Sequence, residues 1–179
     1  DGIPVHDTIA RVISQVEPKQ FQQCFANWVQ DICQRTDGQL IAIDGKTLKG
    51  SWQPGERGSA IHMVSAFACE NSLVLGQVKT DSKSNEISAI PELLQLLELK
   101  GCLVSIDAMG CQKAIAEQLI SKEADYLLAV KSNQPKLHQA LVNAFQDFES
   151  ITKEDITKQK ARLEYRSYQV LDASVLPQH

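Results

Sequence analysis

The sequence predicts an α/β fold in which helices cover one mixed β-sheet. Short apolar runs of strand length, such as 40–43 and 103–106, are separated by longer segments whose apolar residues recur at helical spacing. The chain has 179 residues, of which 43% are hydrophobic, and this is enough for one substantial core. We therefore expect one main α/β domain with at most a small accessory unit.

Two amphipathic helices are predicted at the start of the chain. Asp7 is a typical helix-capping residue, and apolar residues recur at helical spacing from Ile9 to Val16. Pro18 restarts the pattern, and an aromatic and apolar stripe then runs from Phe21 to Ile32. We expect the two helices to pack as a hairpin, with the aromatic stripe in the core.

From Gln39 onward the pattern changes to strands and then alternates strands with helices. Three strands, a helix, a strand, a helix, a strand and a helix follow in that order, which is the order of the ribonuclease H-like fold. In that fold the first and fourth strands are neighbours. The predicted strands are 40–44, 61–69, 73–78, 102–106 and 126–130, and the predicted helices are 88–98 (with Pro91 in its first turn), 112–122 and 134–148.

Two of the predicted strands end on an aspartate. Asp44 ends the first strand and Asp107 ends the fourth. Because these strands are neighbours in the predicted fold, we expect both carboxylates at one edge of the sheet, a usual place for a divalent metal ion. Two structural alternatives stay open, since Asp-Gly is common in hairpin turns and Asp is a common helix N-cap.

Composition limits the classes of partner and site. The formal net charge is −4, so no global basic field draws the chain onto nucleic acid, and DNA contacts must be local. The five cysteines form no C-x-x-C pair, which favours reduced core residues over structural zinc. With no membrane-span pattern and no signal pattern, we expect a cytoplasmic protein with no membrane partner. His62 lies in an apolar strand and is predicted to be structural.

Five blocks of the sequence resemble one known family. The blocks are His6-Asp7-Thr8-Ile9, Ala42-Ile43-Asp44-Gly45-Lys46, 79–87, 106–112 and Lys131-Ser132-Asn133-Gln134-Pro135. In this order they resemble the H-repeat-associated insertion-sequence transposases, a bacterial branch of the DDE transposase superfamily. The resemblance implies a catalytic core with Asp44 and Asp107 as the first two acids of the triad, two Mg²⁺ or Mn²⁺ ions, DNA as substrate, and association with the nucleoid.

The third acid of the family has no counterpart in this chain. In the family it is a Glu in a downstream block resembling Asn-His-Trp-x-x-Glu-Asn, reached after a β-rich insertion. We therefore expect a fragment that ends before that Glu, with a helical accessory segment (1–38), a ribonuclease H-like core (39–150) and the start of the insertion (151–179). Glu164 is the nearest internal substitute as a metal ligand, although the pattern favours a solvated charge ladder with its neighbouring arginines.

Further residues are predicted around the metal ligands. Lys46, Lys83 and Lys131 are expected to contact DNA phosphates, although Lys46 and Lys131 are also explained as solvated lysines and Lys83 as part of a helix cap. Other side chains are expected to support the metal ligands or to line the cleft, while helix capping remains an alternative for several of them. These supporting residues are Asn85, Glu86, Gln112 and Asn133.

The leading hypothesis is a DDE transposase core that carries out metal-dependent DNA cleavage and strand transfer, inactive as this chain alone. A homo-oligomer assembled on DNA is the expected form of such an enzyme. The alternative is a non-catalytic remnant that binds DNA or a full-length transposase. A third possibility, a simple metal-dependent nuclease of the same fold, needs an internal third acid such as Glu164.

Overall fold

The computed structural model describes residues 2–32, 39–48, 51, 60–80, 86–159 and 162–176. The chain divides into two compact units, Asp1–Ala129 and Val130–His179. The predicted segment boundaries at 38 and 150 stay predictions. In the described residues, no helix is long and apolar enough to cross a membrane.

The first unit carries four helices and five strands among its described residues. The helices are α1 (His6–Ser14), α2 (Pro18–Ile32), α3 (Glu86–Gln95) and α4 (Lys113–Ser121). The strands are β1 (Leu40–Thr47), β2 (His62–Ala68), β3 (Leu73–Thr80), β4 (Leu103–Ile106) and β5 (Asp125–Leu128). The second unit contains α5 (Pro135–Asp147) and an antiparallel pair, β6 (Ile151–Gln159) and β7 (Arg162–Val170).

The five strands of the first unit form one mixed sheet with the order β3-β2-β1-β4-β5. Antiparallel pairing joins β1 to β2 and β2 to β3, whereas β4 pairs in parallel with both β1 and β5. The first and fourth strands are therefore neighbours, as predicted, and the α/β class with a ribonuclease H-like mixed sheet is confirmed. β1 is the strand at which the sheet changes from antiparallel to parallel pairing.

Side chains along β1 point alternately to the two faces of the sheet. Ile41 and Ile43 are buried and belong to the main apolar cluster, which also contains Leu93 of α3 and Leu119 of α4. We call this the core face; it also carries Gly45 and Thr47, which follow at the same two-residue period. The opposite face of β1 carries Ala42, Asp44 and Lys46, and we call it the Asp44 face.

Two of the differences from the predicted bounds bear on the site. β1 continues to Thr47, three residues beyond its predicted end, because Gly45 and Thr47 pair with Val64 and His62 of β2. Asp44 is thus inside a strand, and the hairpin-turn alternative for it was wrong. α3 begins at Glu86 instead of residue 88, so Pro91 lies inside the helix and not in its first turn.

The N-terminal helices differ from each other in how they are packed. α2 lies along β3, where Gln22 Nε2 donates to the carbonyl of Gln77 at 2.5 Å, and Phe25 packs against the core. Phe21 and Trp28 are 61% and 52% exposed, so the predicted aromatic core stripe is formed at Phe25 and not at these two rings. α1 has no buried residue.

Replacement of Gly110 by alanine tests the tight packing after β4. An added Cβ would overlap the Ile106 side chain and would lie 3.3 Å from Ile90 Cδ1. Overpacking of this kind costs about 1–3 kcal/mol, so we expect Gly110→Ala to lower the free energy of unfolding in a urea titration by this amount. Gly2→Ala is the control, because nothing lies within 4 Å of an added Cβ there. Equal urea midpoints for Gly110→Ala and Gly2→Ala would contradict the tight packing of Gly110 against Ile106 and Ile90.

Candidate functional site

The register of β1 and β4 brings the two predicted aspartates to the same level of the sheet. The parallel pairing runs from Leu40↔Leu103 to Ile43↔Ile106. Asp44 and Asp107 are each the next residue after the last pair. Neighbouring strands are about 4.8 Å apart, so the backbones of the two aspartates are adjacent.

Both aspartates also belong to the same face. Ala42 and Ser105 are cross-strand partners on the Asp44 face, and Asp44 and Asp107 each follow two residues later. The backbone of Asp107 is still extended, with φ −68° and ψ 179°, so the alternation of β4 continues through it. Two carboxylates therefore start from neighbouring positions on one face of the sheet.

The surroundings of the two carboxylates differ. Both residues are exposed, and the Asp44 carboxylate has no hydrogen bond or ion pair with any described residue. Asp107 Oδ1 accepts a hydrogen bond from the Met109 backbone N–H at 3.0 Å and caps the 3₁₀ turn Ala108–Gly110. The capping alternative thus holds for one carboxylate oxygen of Asp107, and a cap of this kind leaves the other oxygen available to a cation.

Cross-strand rows extend the Asp44 face towards β3. Asp44 pairs with Ser65, which pairs with Gln77, and Gln77 Nε2 donates to Ser65 Oγ at 3.0 Å. In the next row on this face, Lys46 and Lys79 flank Met63, and both lysines are exposed. Two strand spacings separate the lysine backbones by about 10 Å.

Lys79 is a candidate phosphate contact that sequence reasoning missed. A β-bulge between Ala66 and Phe67 shifts the register of β2 and β3 by one residue. If the pairing continued from the turn without the bulge, Lys79 would be the cross-strand partner of His62 and would lie on the core face. The sequence pointed to Lys79 only as the first residue of the family-like block 79–87. The bulge that places it on the Asp44 face cannot be read from the sequence.

Glu86 lies behind the two aspartates, on the core face. It is 5% exposed, and its Oε1 accepts a hydrogen bond at 2.5 Å from Nε2 of His62, which is 2% exposed. The other ring nitrogen, Nδ1, lies 2.9 Å from Thr47 Oγ1. A Cβ at Gly45 would overlap the Glu86 carboxylate and would lie 2.9 Å from His62 Nε2. The glycine after Asp44 therefore makes room for this pair.

Three predicted site residues belong to the second unit. Lys131 is exposed, and its carbonyl accepts a hydrogen bond from the Gln134 N–H at 3.0 Å. Asn133 does not cap α5, because Gln134 is at the N-cap and Pro135 takes the first helical position. Glu164 Oε2 accepts a hydrogen bond from Arg166 at 2.7 Å, as in the charge ladder that was its alternative.

The remaining predicted residues are less defined. Gln112 is at the N-cap of α4, although its side chain makes no capping hydrogen bond. Lys83 and Asn85 lie outside the described residues. Over the described residues, no group of three or more His, Cys, Asp and Glu side chains is placed to hold a metal ion. The site residues predicted from the sequence stay predictions, with the Asp44 and Asp107 positions brought together by the sheet.

The four cysteines in the part of the chain that is described differ in burial. Cys24, Cys69, Cys102 and Cys111 are free thiols, and Cys102 and Cys111 are buried. Burial raises the pKa of the Cys111 thiol, which favours its neutral form.

Comparison with protein families matches nearly the whole chain. The family described as "Transposase DDE domain" matches residues 35–174. A second family, described as "DDE_Tnp_1-associated", matches residues 1–29. A solved piggyBac transposase synaptic complex with hairpin DNA is similar over 78% of this chain and 36% of its own, with a TM-score of 0.44 and 15% identity.

Similar curated proteins come from Escherichia coli (strain K12). "Putative transposase YncI" is 61% identical over 145 residues, which are 81% of this chain and 58% of that protein. "H repeat-associated putative transposase YbfD" is 52% identical over 145 residues, 81% of this chain and 57% of its own length. "H repeat-associated putative transposase YhhI" is 54% identical over the same share of this chain and 38% of its own. The chain thus spans less than two thirds of the length of each of these relatives.

Two substitutions of Asp107 separate its capping role from its charge. Asparagine caps about as well as aspartate, whereas alanine loses the cap at a cost of about 0.5–2 kcal/mol. We expect urea unfolding to show Asp107→Asn close to the wild type and Asp107→Ala destabilised by that amount. An equal loss in both variants would mean that the charge, and not the hydrogen bond to Met109, stabilises this turn.

Proposed function

The chain belongs to the family of the transposase DDE domain, and from this premise we propose that Asp44 and Asp107 bind the divalent metal ions of a DNA cleavage and strand-transfer site. The observation that carries the proposal is their shared level and face in the parallel pair β1–β4. DNA, as insertion-sequence ends and target, is the proposed substrate, and the nucleoid in the cytoplasm is the proposed place of action.

The donor set suits Mg²⁺ or Mn²⁺. Both are hard cations that prefer oxygen ligands, and two exposed carboxylates from adjacent positions offer these ligands on one face. A short side chain on a strand is also held in a narrow range of positions. Such ions, when bound, activate the attacking oxygen and stabilise the leaving oxygen of a phosphodiester.

The side chains of this chain contribute binding and orientation. Asp44 has no competing partner among the described residues, so its carboxylate is available as a ligand. Asp107 is oriented by its hydrogen bond to Met109, which anchors one oxygen and directs the other. Lys46 and Lys79, one row further along the same face, are proposed to contact DNA phosphates and set the position of the duplex.

The proposed activity needs a third carboxylate. Glu164 stays a low-ranking proposal, because it already forms an ion pair with Arg166 at 2.7 Å. We propose instead that the third acid is absent from these residues, and that this chain alone gives weak metal binding and little or no strand transfer. Assembly of several copies on DNA belongs to the proposed function of the whole transposase.

The second candidate function is a non-catalytic remnant that binds DNA or a full-length transposase. Within the described residues, no three acidic side chains come together, and this favours the remnant as the function of this polypeptide. The two candidates differ in metal binding, because a remnant has no need of Asp44 and Asp107 as a pair. A simple nuclease would require Glu164 as ligand, and loss of cleavage in Glu164→Gln would identify it.

Calorimetric titration of Mn²⁺ into the chain tests the metal site. We expect weak binding that falls at least tenfold in Asp44→Asn and in Asp107→Asn, because each variant removes one anionic ligand. Asp125→Asn, an exposed aspartate at the start of β5, is the control and should bind like the wild type. Negligible binding by all four proteins would favour the remnant, and equal binding by all four would place the ion elsewhere.

The proposed phosphate contacts of Lys46 and Lys79 can be tested separately, by the salt dependence of DNA binding. Each phosphate contact contributes about one unit to the slope of log affinity against log salt. We expect Lys46→Gln and Lys79→Gln each to reduce the slope for duplex DNA by about one unit. Lys19→Gln in α2 is the control with the same change of charge. If all three variants reduce the slope equally, net charge and not the Asp44 face governs binding.

A further inference from the structure

A groove opens where α2 lies along β3, at the edge of the sheet. Its volume is about 360 Å³, close to the lower limit of roughly 300 Å³ for pockets that bind small molecules. All of the residues that line it belong to the first unit. Among them are Phe21, Gln22, Phe25, Met63 and Gln77.

One wall of the groove is aromatic. Phe25 packs against the core, whereas Phe21 is 61% exposed. The two ring centroids are 6.5 Å apart and the ring planes differ by 23°, so Phe25 supports the exposed ring from one side. An exposed aromatic ring that is held in this way is a surface on which another flat ring can stack.

Positive charge lies beside the groove, on the same face of the sheet. Met63 lines the groove, and its cross-strand partners are Lys46 on β1 and Lys79 on β3. The three side chains form one row on the Asp44 face, and both lysines are exposed. Side chains paired in this way have Cβ atoms about 5 Å apart, so both ammonium groups can reach an anionic ligand that enters the groove.

Two side-chain amides add hydrogen-bond acceptors. Gln22 Nε2 donates to the carbonyl of Gln77, and Gln77 Nε2 donates to Ser65 Oγ. Among the described residues, no donor contacts the amide oxygen of either glutamine. The groove therefore offers acceptors to a ligand that carries N–H groups, and a purely apolar occupant would leave these acceptors without partners.

A nucleobase matches this combination of groups. Its faces stack on aromatic rings, its edges carry N–H donors, and the strand that bears it carries phosphates. We propose that the groove binds an unpaired base of a DNA strand, stacked on Phe21, while Lys46 and Lys79 contact the phosphates of that strand. This rests on the proposed function, because DNA is taken from it as the substrate. It adds that the DNA is bound with one base outside the double helix.

The groove is also close to the proposed metal site. Gln77 lies in the same cross-strand row as Asp44, with Ser65 between them. Two strand spacings are about 10 Å, which corresponds to about three nucleotide steps along a DNA strand. A base in the groove would therefore belong to the DNA segment whose phosphodiester lies at Asp44 and Asp107.

Fluorescence anisotropy in EDTA, with three duplexes of one sequence, tests the proposal. One duplex is fully paired, one carries a single bulged adenine, and one has an abasic site in place of that adenine. We expect the 179-residue chain to bind the bulged-adenine duplex about tenfold more tightly than the other two. The reason is that one base stacks on the protein, and that a bulged base needs no unpairing beforehand.

Substitutions of Phe21 test whether its ring is the contact. Phe21→Leu keeps an apolar side chain and removes the ring, and we expect it to abolish the preference for the bulged adenine. Phe21→Tyr restores an aromatic ring and should restore the preference. Phe148→Leu, at an exposed phenylalanine directly after α5, is the matched control and should keep the preference. Urea unfolding curves check that each variant is folded, and the comparison of duplexes with the wild type depends on no variant.

A second copy of the chain is the competing occupant of the groove. Sedimentation equilibrium of the wild type and of Phe21→Leu, both without DNA, tests this alternative. We expect both proteins to be monomers at the concentrations used for anisotropy. A wild-type dimer that dissociates in Phe21→Leu would show that another copy fills the groove, and it would overturn the inference.

The outcomes separate the base contact from the rest of the proposed function. Equal affinity of the wild type for all three duplexes would overturn the base contact and leave the DNA substrate in place. An undiminished preference in Phe21→Leu would overturn it too. Absence of binding to every duplex would overturn it together with the DNA substrate. Because EDTA removes divalent ions, a preference that depends on Phe21, combined with a failed Mn²⁺ titration, supports the base contact while the metal proposal fails.

Discussion

The parallel pairing of β1 with β4 is the constraint on which the rest of the site depends. It makes Ile43 and Ile106 cross-strand partners, and it therefore sets the two following aspartates side by side. A register shift of one residue would move one carboxylate to the core face, since side chains alternate strictly along a strand. The apolar cluster behind β1 opposes such a shift, because Ile41, Ile43 and Val104 are all buried. Packing of the core thus determines the geometry of the charged face.

The last four residues of β1 serve different purposes on the two faces of the sheet. Asp44 and Lys46 present opposite charges on one side, while Gly45 and Thr47 accommodate a buried acid and base on the other. This arrangement requires a glycine in the middle of a strand, where it normally weakens the strand. β1 pairs with β2 through Thr47 and with β4 up to Ile43. These backbone hydrogen bonds hold the strand in place where the glycine contributes no side-chain packing.

The sequence was sufficient for the features that depend on local pattern. Apolar runs predicted the strands, and the order of elements predicted that β1 and β4 are neighbours. Long-range features were not accessible in this way. The extension of β1 to Thr47 depends on pairing with β2, the position of Lys79 depends on a bulge, and the early start of α3 accompanies contact of Glu86 with His62. The exposure of Phe21 and Trp28 likewise depends on how α2 lies along β3 and not on helical spacing.

The contact between α2 and β3 has a consequence for the open edge of the sheet. β3 is an edge strand, and an edge with unpaired carbonyls is a template on which another chain can add a strand. The side-chain amide of Gln22 occupies the Gln77 carbonyl, and α2 lies beside it as a cover. The N-terminal segment therefore occupies part of the one edge of the sheet at which β3 would otherwise be open to a further strand.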